Sequence, residues 1–232
     1  MNAGSALVAE VVRSMAPEVR AAARTPRRAA DDEDAWFEYV TCVLSSRVRQ
    51  EVAVAFTEAL RTRHLYPRTT MSSDSFARGI SETLCGRAYV GGRERRYPFP
   101  HVRGASLASA ASIVYGRGRC LTDHVSALGS VAAQRAWLAN NVPGIGPKQA
   151  SMWLRNALGI ADVAVIDAHL LRYGEIVGLW TSAGARPSSL RWYDGAEAMM
   201  RRHASDLGLS LFDFDITTWI VMRAYSSLRR AG

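Results

Sequence analysis

The chain keeps a single amine among its basic side chains. Of 29 lysine and arginine residues, 28 are arginine and Lys148 is the only lysine. A compositional bias accounts for the arginines, and it leaves one position where an amine was retained. An amine attacks carbon once it has lost its proton, whereas arginine stays protonated in proteins. Free lysine has a pKa near ~10.4, and both a helix N-terminus and desolvation disfavour an ammonium. The alternative role for such a lysine is a plain phosphate contact. Nineteen residues later comes Asp167, after the apolar run Val163, Ala164, Val165 and Ile166 and before a helical pattern. A carboxylate there suits a helix N-cap. It could also face a sugar and stabilise positive charge growing at its anomeric carbon. His169, two residues into that helix, reads either as an acid or base or as an ordinary packing or hydrogen-bonding histidine.

The surrounding spacing says how these residues are held. Val142, Pro143, Gly144, Ile145, Gly146 and Pro147 join two helical patterns. Two glycines permit tight positive-φ geometry and close backbone approach. Pro147 fits the first position of a helix, where its missing N–H costs nothing. The amides of such a turn and the helix N-terminus behind it suit a phosphate. In the following helix Ala150, Trp153, Leu154, Ala157 and Leu158 form an apolar stripe. At about 100° per residue Lys148 lies almost opposite that stripe, near Arg155. Gly159 is a natural stop.

Helical spacing dominates the rest. Residues 1–30, rich in alanine and arginine, are expected to be an N-terminal helical extension of one or two loosely docked helices. Residues 31–232 then form the main domain. Asp31, Asp32 and Asp34 open a helix carrying Trp36, Tyr39, Val40, Val43 and Leu44. Further helices are expected at about 50–62, from Ser73 to near Gly86, and at about 104–115, 121–129, 132–141, 148–158, 168–178, 187–206 and 211–229. Residues 86–100, with Gly91-Gly92, an arginine cluster, Pro98 and Pro100, read as an exposed loop. Only 163–166 looks like a strand. The fold class is all-α with short connections, and the resemblance described below implies two packed helical halves with a helix-hairpin-helix motif.

Composition narrows the partners. The net charge of +8 favours polyanions, phosphates above all. No apolar run approaches the roughly 20 residues of a membrane span. The N-terminus lacks a signal-peptide layout and carries Glu10 and Glu18, so a cytoplasmic, nucleoid-associated protein is expected. Cys42, Cys85 and Cys120 are far apart and read as three buried thiols rather than a zinc site or iron–sulfur cluster.

The stretch 140–173 resembles the helix-hairpin-helix DNA glycosylase superfamily, which follows its hairpin with a catalytic lysine and later an aspartate in a Val/Ile-Asp-x-His context. Within it, the chain is most similar to the archaeal-type 8-oxoguanine DNA glycosylase/AP lyases. Their Gly-x-Gly-x-Lys-x-Ala-Ser-x-x-Leu-Arg-Asn appears here from Gly144 to Asn156, and their Ile-Asp-x-His as Ile166-Asp167-Ala168-His169. The resemblance implies Lys148 as nucleophile and Asp167 as its carboxylate partner. It also implies DNA contacts at Val142, Gly144, Gly146 and Pro147, and a wedge into the duplex at Ser46 and Arg47. Asp215 and Trp219 are similar to a family aspartate and tryptophan near the base pocket. Arg96 to Arg103 is similar to an Arg-Phe segment that precedes a small-residue helix. Two departures concern the target base. The archaeal-type enzymes commonly finish in a lysine, where this chain has Leu228-Arg229-Arg230-Ala231-Gly232. The arginine-rich loop at 86–97 is also long for the family.

What the resemblance implies is a glycosylase that flips a damaged base, 8-oxoguanine or a related one, into a pocket between its helical halves. The lysine displaces the base and the resulting Schiff base permits AP lyase cleavage. No redox cofactor or catalytic metal is called for, although a structural monovalent cation on the carbonyls of Val142 and Ile145 is in keeping with the superfamily. The expected partner is double-stranded DNA, with no membrane, and the expected state is a monomer. Three other readings stand beside this one: a glycosylase for another modified base, such as one in foreign DNA; an AP lyase alone; and a non-catalytic helix-hairpin-helix DNA-binding module. The module would tolerate Lys148→Arg.

Overall fold

A computed structural model describes residues 3–22, 26, 28–67, 72–116, 118 and 120–231. Residues 1, 2, 23–25 and 27 of the expected extension lie outside the described residues, and the chain end at 228–232 lies outside the described side chains. The described residues are mostly helical, and the chain divides into two compact units. One is the continuous stretch Arg28–Leu158. The other combines Met1–Arg27 with Gly159–Gly232.

The continuous unit is built around α2 (Asp32–Leu44). Asp31 caps it, accepting from Asp34 N at 2.9 Å, and Asp32, Glu33 and Asp34 fill its first turn. Carboxylates belong at that positive end. Ala35, Trp36, Phe37, Tyr39, Val40, Cys42, Val43 and Leu44 are all buried, so α2 is apolar almost all round, as a central helix must be. Trp36 packs against Tyr39, Phe76 and Tyr115 with ring centroids 5.0–6.2 Å apart. Around α2 stand α3 (Gln50–Thr62), α4 (Ser73–Cys85), α5 (Pro100–Tyr115), α6 (Leu121–Ser126), α7 (Val131–Asn141) and α8 (Pro147–Leu158). Fully buried Trp153 fixes α8 to α2 by donating its indole N–H to Ala35 O at 2.9 Å.

Two readings need correction in this unit. The stretch 86–97 is not a loop but an antiparallel hairpin, β1 (Arg87–Val90) and β2 (Arg93–Arg96). Its two-residue turn is Gly91-Gly92 with φ of +57° and +75°, the geometry that lets a tight hairpin follow the twist of its strands. The thiols are not all buried either: Cys42 is, Cys120 is half-buried and Cys85 is exposed at the end of α4.

The second unit contains α1 (Ala3–Ala22), α9 (Ala168–Val177), α10 (Leu190–Asp206) and α11 (Leu211–Ala231), with one 3-10 turn at Ser182–Gly184. Helix α1 packs on α11 and α9 instead of docking loosely. Its Ala9, Val12, Ala16 and Val19 are buried at helical spacing, and Arg20 pairs with Asp213 on α11 at 2.7 Å. The core joins Val12 to Ile166, Leu170, Tyr173, Tyr193, Met200, Phe214 and Met222.

The run 163–166 is extended and buried, but it pairs with no strand among the described residues. Side chains satisfy its backbone. Ala164 N donates to Glu197 Oε2 at 2.9 Å, Val165 N to Asp215 Oδ2 at 2.6 Å, and Ile166 N to the Tyr193 hydroxyl at 2.9 Å. That hydroxyl in turn donates to Ala164 O at 2.8 Å.

Candidate active site and nucleic-acid interface

The turn between α7 and α8 is shaped by one glycine. Gly144 has a φ of +83°. A Cβ on it would sit 3.2 Å from Val43 Cγ1 and 3.3 Å from Ser106 Cβ, so both conformation and space require glycine. Gly146 differs from the expectation. It is not at positive φ, and a Cβ there would meet only Gln149 Oε1 at 3.5 Å. Its carbonyl accepts from Ala150 N at 2.9 Å and starts the α8 ladder, with Pro147 as the first helical residue. Val142 is buried, and its carbonyl accepts from Ile145 N at 3.4 Å. Tyr39 on α2 donates to Pro143 O at 2.7 Å and holds the turn from beneath.

Lys148 is the second residue of α8 and is half-buried. Its Nζ donates to Met152 Sδ, one turn on, at 3.5 Å. A thioether is a weak, neutral acceptor, so the amine is not committed to a carboxylate. The buried face of α8 is broader than the sequence stripe. It includes Ser151, whose Oγ accepts from the buried Arg135 Nε at 2.8 Å, and Met152.

Polar groups beneath this helix were not singled out by sequence reasoning. Glu38 on α2 accepts from Asn156 Nδ2 at 2.7 Å and from the Cys42 thiol at 3.7 Å. Burial raises the Glu38 pKa, against the opposing bonds from Asn156 and Cys42 and the charge of Arg155. Burial also pushes the Cys42 thiol well above its ordinary range, reinforced by Glu38 and opposed by Lys148. Glu38 sits among the apolar residues of α2 at helical spacing, and that is the signal a sequence could have offered.

Ser46 and Arg47 lie in the turn that ends α2. Arg47 is exposed and adopts a φ of +63°, a left-handed conformation uncommon for a residue with a side chain. His64, after α3, shares this conformation with a φ of +53°. Val43 against Gly144, and Leu44 two residues before Ser46, put this turn and the 142–146 turn at the same end of α2.

Asp167 caps α9 in the other unit. Its Oδ1 accepts from His169 N at 2.8 Å and from Leu170 N at 3.1 Å, which leaves Oδ2 for a ligand. His169 stands edge-on to Trp219, ring centroids 6.3 Å apart, and Arg223 lies over the same tryptophan at 5.0 Å. Trp219 is 37% exposed and Asp215 only 2%. The Asp215 carboxylate, bonded to Val165 N, holds the segment that delivers Asp167. Val142, Gly144, Gly146, Pro147, Lys148, Ser46 and Arg47 thus belong to one unit, and Asp167, His169, Asp215 and Trp219 to the other.

The chain as a whole is similar to known proteins. The family model described as 8-oxoguanine DNA glycosylase matches residues 20–209. The 8-oxoguanine DNA glycosylase/AP lyase of Korarchaeum cryptofilum is 26% identical over 196 residues, covering 84% of this chain and 82% of that protein. Its counterpart in Sulfolobus acidocaldarius is 28% identical over 186 residues, 80% of each. Among solved structures, the 8-oxoguanine DNA glycosylase of Methanocaldococcus jannaschii superposes with a TM-score of 0.69 at 21% identity, covering 93% of this chain and 91% of that one. The same organism's enzyme in complex with DNA containing 8-oxoguanine gives 0.63 at 20% identity, covering 92% and 87%. With a family match across most of its length and the same fold in solved members, the chain belongs to the 8-oxoguanine DNA glycosylase family of helix-hairpin-helix proteins.

Proposed function

We propose that this chain excises 8-oxoguanine or a closely related oxidised base from double-stranded DNA, using Lys148 as nucleophile and Asp167 as its carboxylate partner. The observation that carries the reading is the placement of the only lysine. It stands at the second residue of a helix, directly behind a Gly144-dependent turn, with a neutral sulfur as its partner.

The Nζ lone pair forms a bond to C1′ while the glycosidic C–N bond breaks, and the departing base keeps that electron pair and takes up a proton. The Asp167 carboxylate stabilises the positive charge that grows on the sugar. Proton transfer from nitrogen to O4′ opens the ring and leaves an iminium between Lys148 and C1′. Loss of a C2′ proton then expels the 3′ phosphate, which is the lyase step. The amides of the 142–146 turn hold phosphate, and Ser46 with Arg47 enters the base stack as the nucleotide flips. A monovalent cation fits the turn in part: the Val142 carbonyl, with two lone pairs and one long bond to Ile145 N, has capacity for it. Such an ion would neutralise carbonyl charge beside bound phosphate. A monomer working at the nucleoid completes this reading, and no described helix is long and apolar enough to cross a membrane.

Borohydride trapping tests it. Wild type and Lys148→Gln are each incubated with a duplex carrying 8-oxoguanine and with an abasic duplex. A covalent adduct on the 8-oxoguanine duplex with wild type alone is the expected result. Trapping on abasic DNA only would reduce the activity to AP lyase. Trapping on neither would leave a DNA-binding module.

A further inference from the structure

The β1–β2 hairpin is the part of the molecule the glycosylase reading leaves unused. Its strand alternation sorts the charges. In the pairing, Ala88 faces Arg95 and Val90 faces Arg93, so these four share one face. Ala88 and Val90 are half-buried, and β1 packs on α3, so that face is turned towards α3. The opposite face carries Arg87, Tyr89, Glu94 and Arg96, and there Arg87 pairs with Glu94. Of the three exposed arginines of β2, Arg93 and Arg95 therefore lie on the side of the space between hairpin and helix, and Arg96 on the other.

That space is a cleft of about 620 Å³ lined by Arg49, Arg93 and Arg95, with Glu51, Val52 and Val90. Among the described residues, none of the three arginines forms an ion pair. Glu51 lowers the charge of the cleft without cancelling it. Arg49 occupies the N-cap position of α3 and makes no side-chain cap bond; Val52 N donates to Arg49 O at 3.1 Å, so the amides of Gln50 and Glu51 are the ones that suit an external anion. Three guanidiniums drawn around one concavity repel each other unless an anion sits between them.

The cleft is also well placed. Tyr97, directly after β2, is buried and donates to Leu44 O at 2.8 Å, and its ring packs on Phe56 of α3 at 5.5 Å. The hairpin base is thereby fixed to the last turn of α2. The same turn carries Val43 against Gly144 and leads into Ser46 and Arg47. We infer that the arginine cleft between the hairpin and α3 binds DNA backbone phosphates, as a grip separate from the turn at 142–146. The inference rests on the glycosylase reading for its choice of polyanion.

The test measures affinity for a long lesion-bearing duplex from 50 to 200 mM KCl, for wild type, R93A/R95A and R93K/R95K. Each phosphate contact contributes about 0.9 to the slope of log affinity against log salt. R93A/R95A should lower that slope by about 1.8, so its deficit against wild type should shrink roughly tenfold across the range. R93K/R95K should keep the slope, because it keeps the charge. An unchanged slope in R93A/R95A would overturn the inference. So would an equal loss in R93K/R95K, which would trace the effect to hairpin structure. Borohydride trapping of wild type on the same duplex separates the two readings. Trapping with no slope difference removes only the cleft, and a wild type that neither traps nor binds removes both.

Discussion

Gly144 and Gly146 look equivalent in the motif and are not equivalent in the structure, so Gly144→Ala and Gly146→Ala should part company. Alanine at 144 must hold a φ of +83°, which costs about 1–2 kcal/mol for a residue with a Cβ. That Cβ would also lie 3.2–3.3 Å from both methyls of fully buried Val43 and from Ser106 Cβ, on two packed helices that yield little. Overpacking of this kind adds about 1–3 kcal/mol. The sum is a loss of roughly 2–5 kcal/mol, a shift of about 1–2 M in a urea midpoint. Alanine at 146 meets no positive φ and only the flexible end of Gln149, so its stability should stay within about 0.5 kcal/mol of wild type. Urea unfolding followed by circular dichroism measures both. Binding to duplex DNA without urea then separates fold from contact. Gly144→Ala should weaken binding together with stability, whereas any loss in Gly146→Ala reports a phosphate approaching its Cα. Equal destabilisation by the two variants, or a Gly144→Ala that matches wild type, would refute the assignment of roles within the turn.

Asp167→Asn should keep the α9 cap, because asparagine caps as well as aspartate, and leave stability within about 0.5 kcal/mol. Single-turnover excision should nevertheless fall by at least ~10²-fold through loss of the charge. Asp167→Ala should add a stability loss of about 1 kcal/mol as His169 N and Leu170 N lose their acceptor, so a full-rate Asp167→Asn would reduce this residue to a cap. Glu38 offers a pH test. Its pKa is raised by burial, so its ionised form opposes folding, and the stability it contributes is present below the ordinary glutamate pKa and lost as pH rises through the raised value. Glu38→Gln keeps an acceptor for Asn156 and should gain stability relative to wild type as pH rises from 4 to 7 in paired urea titrations. A difference that stays flat with pH would disprove the burial argument.

Much of the site was legible because it is local. The turn, Pro147 at the helix start, the lysine behind it and Asp167 as a cap all follow from residue types within a few positions of each other. The motif could not distinguish Gly144 from Gly146, because the distinction lies in Val43 and Ser106, about 100 and 40 residues away in sequence. The Gly91-Gly92 pair was a hairpin signal masked by its arginines, since β2 has no apolar residue to alternate. The 163–166 run has the composition of a strand, yet its partners are Glu197, Asp215 and Tyr193 rather than another backbone. In α1, the buried Ala9, Val12, Ala16 and Val19 were readable at helical spacing, but small side chains and abundant arginine made the stripe look weak.

The side-chain clasp on 163–166 fixes more than position. A strand in a sheet can slip along its neighbour, because every residue of that neighbour offers the same peptide groups. Here each amide is addressed by a different side chain, and a slip of one residue would strand three buried polar groups at about 1–3 kcal/mol each. The register of the chain entering α9 is therefore singular, as in a lock whose three pins differ in length. Asp167, the next residue, inherits that singularity. Asp162 is itself held by Arg201 at 2.9 Å, so an insertion or deletion between Gly159 and Ala161 would be absorbed ahead of the clasp and not at the carboxylate.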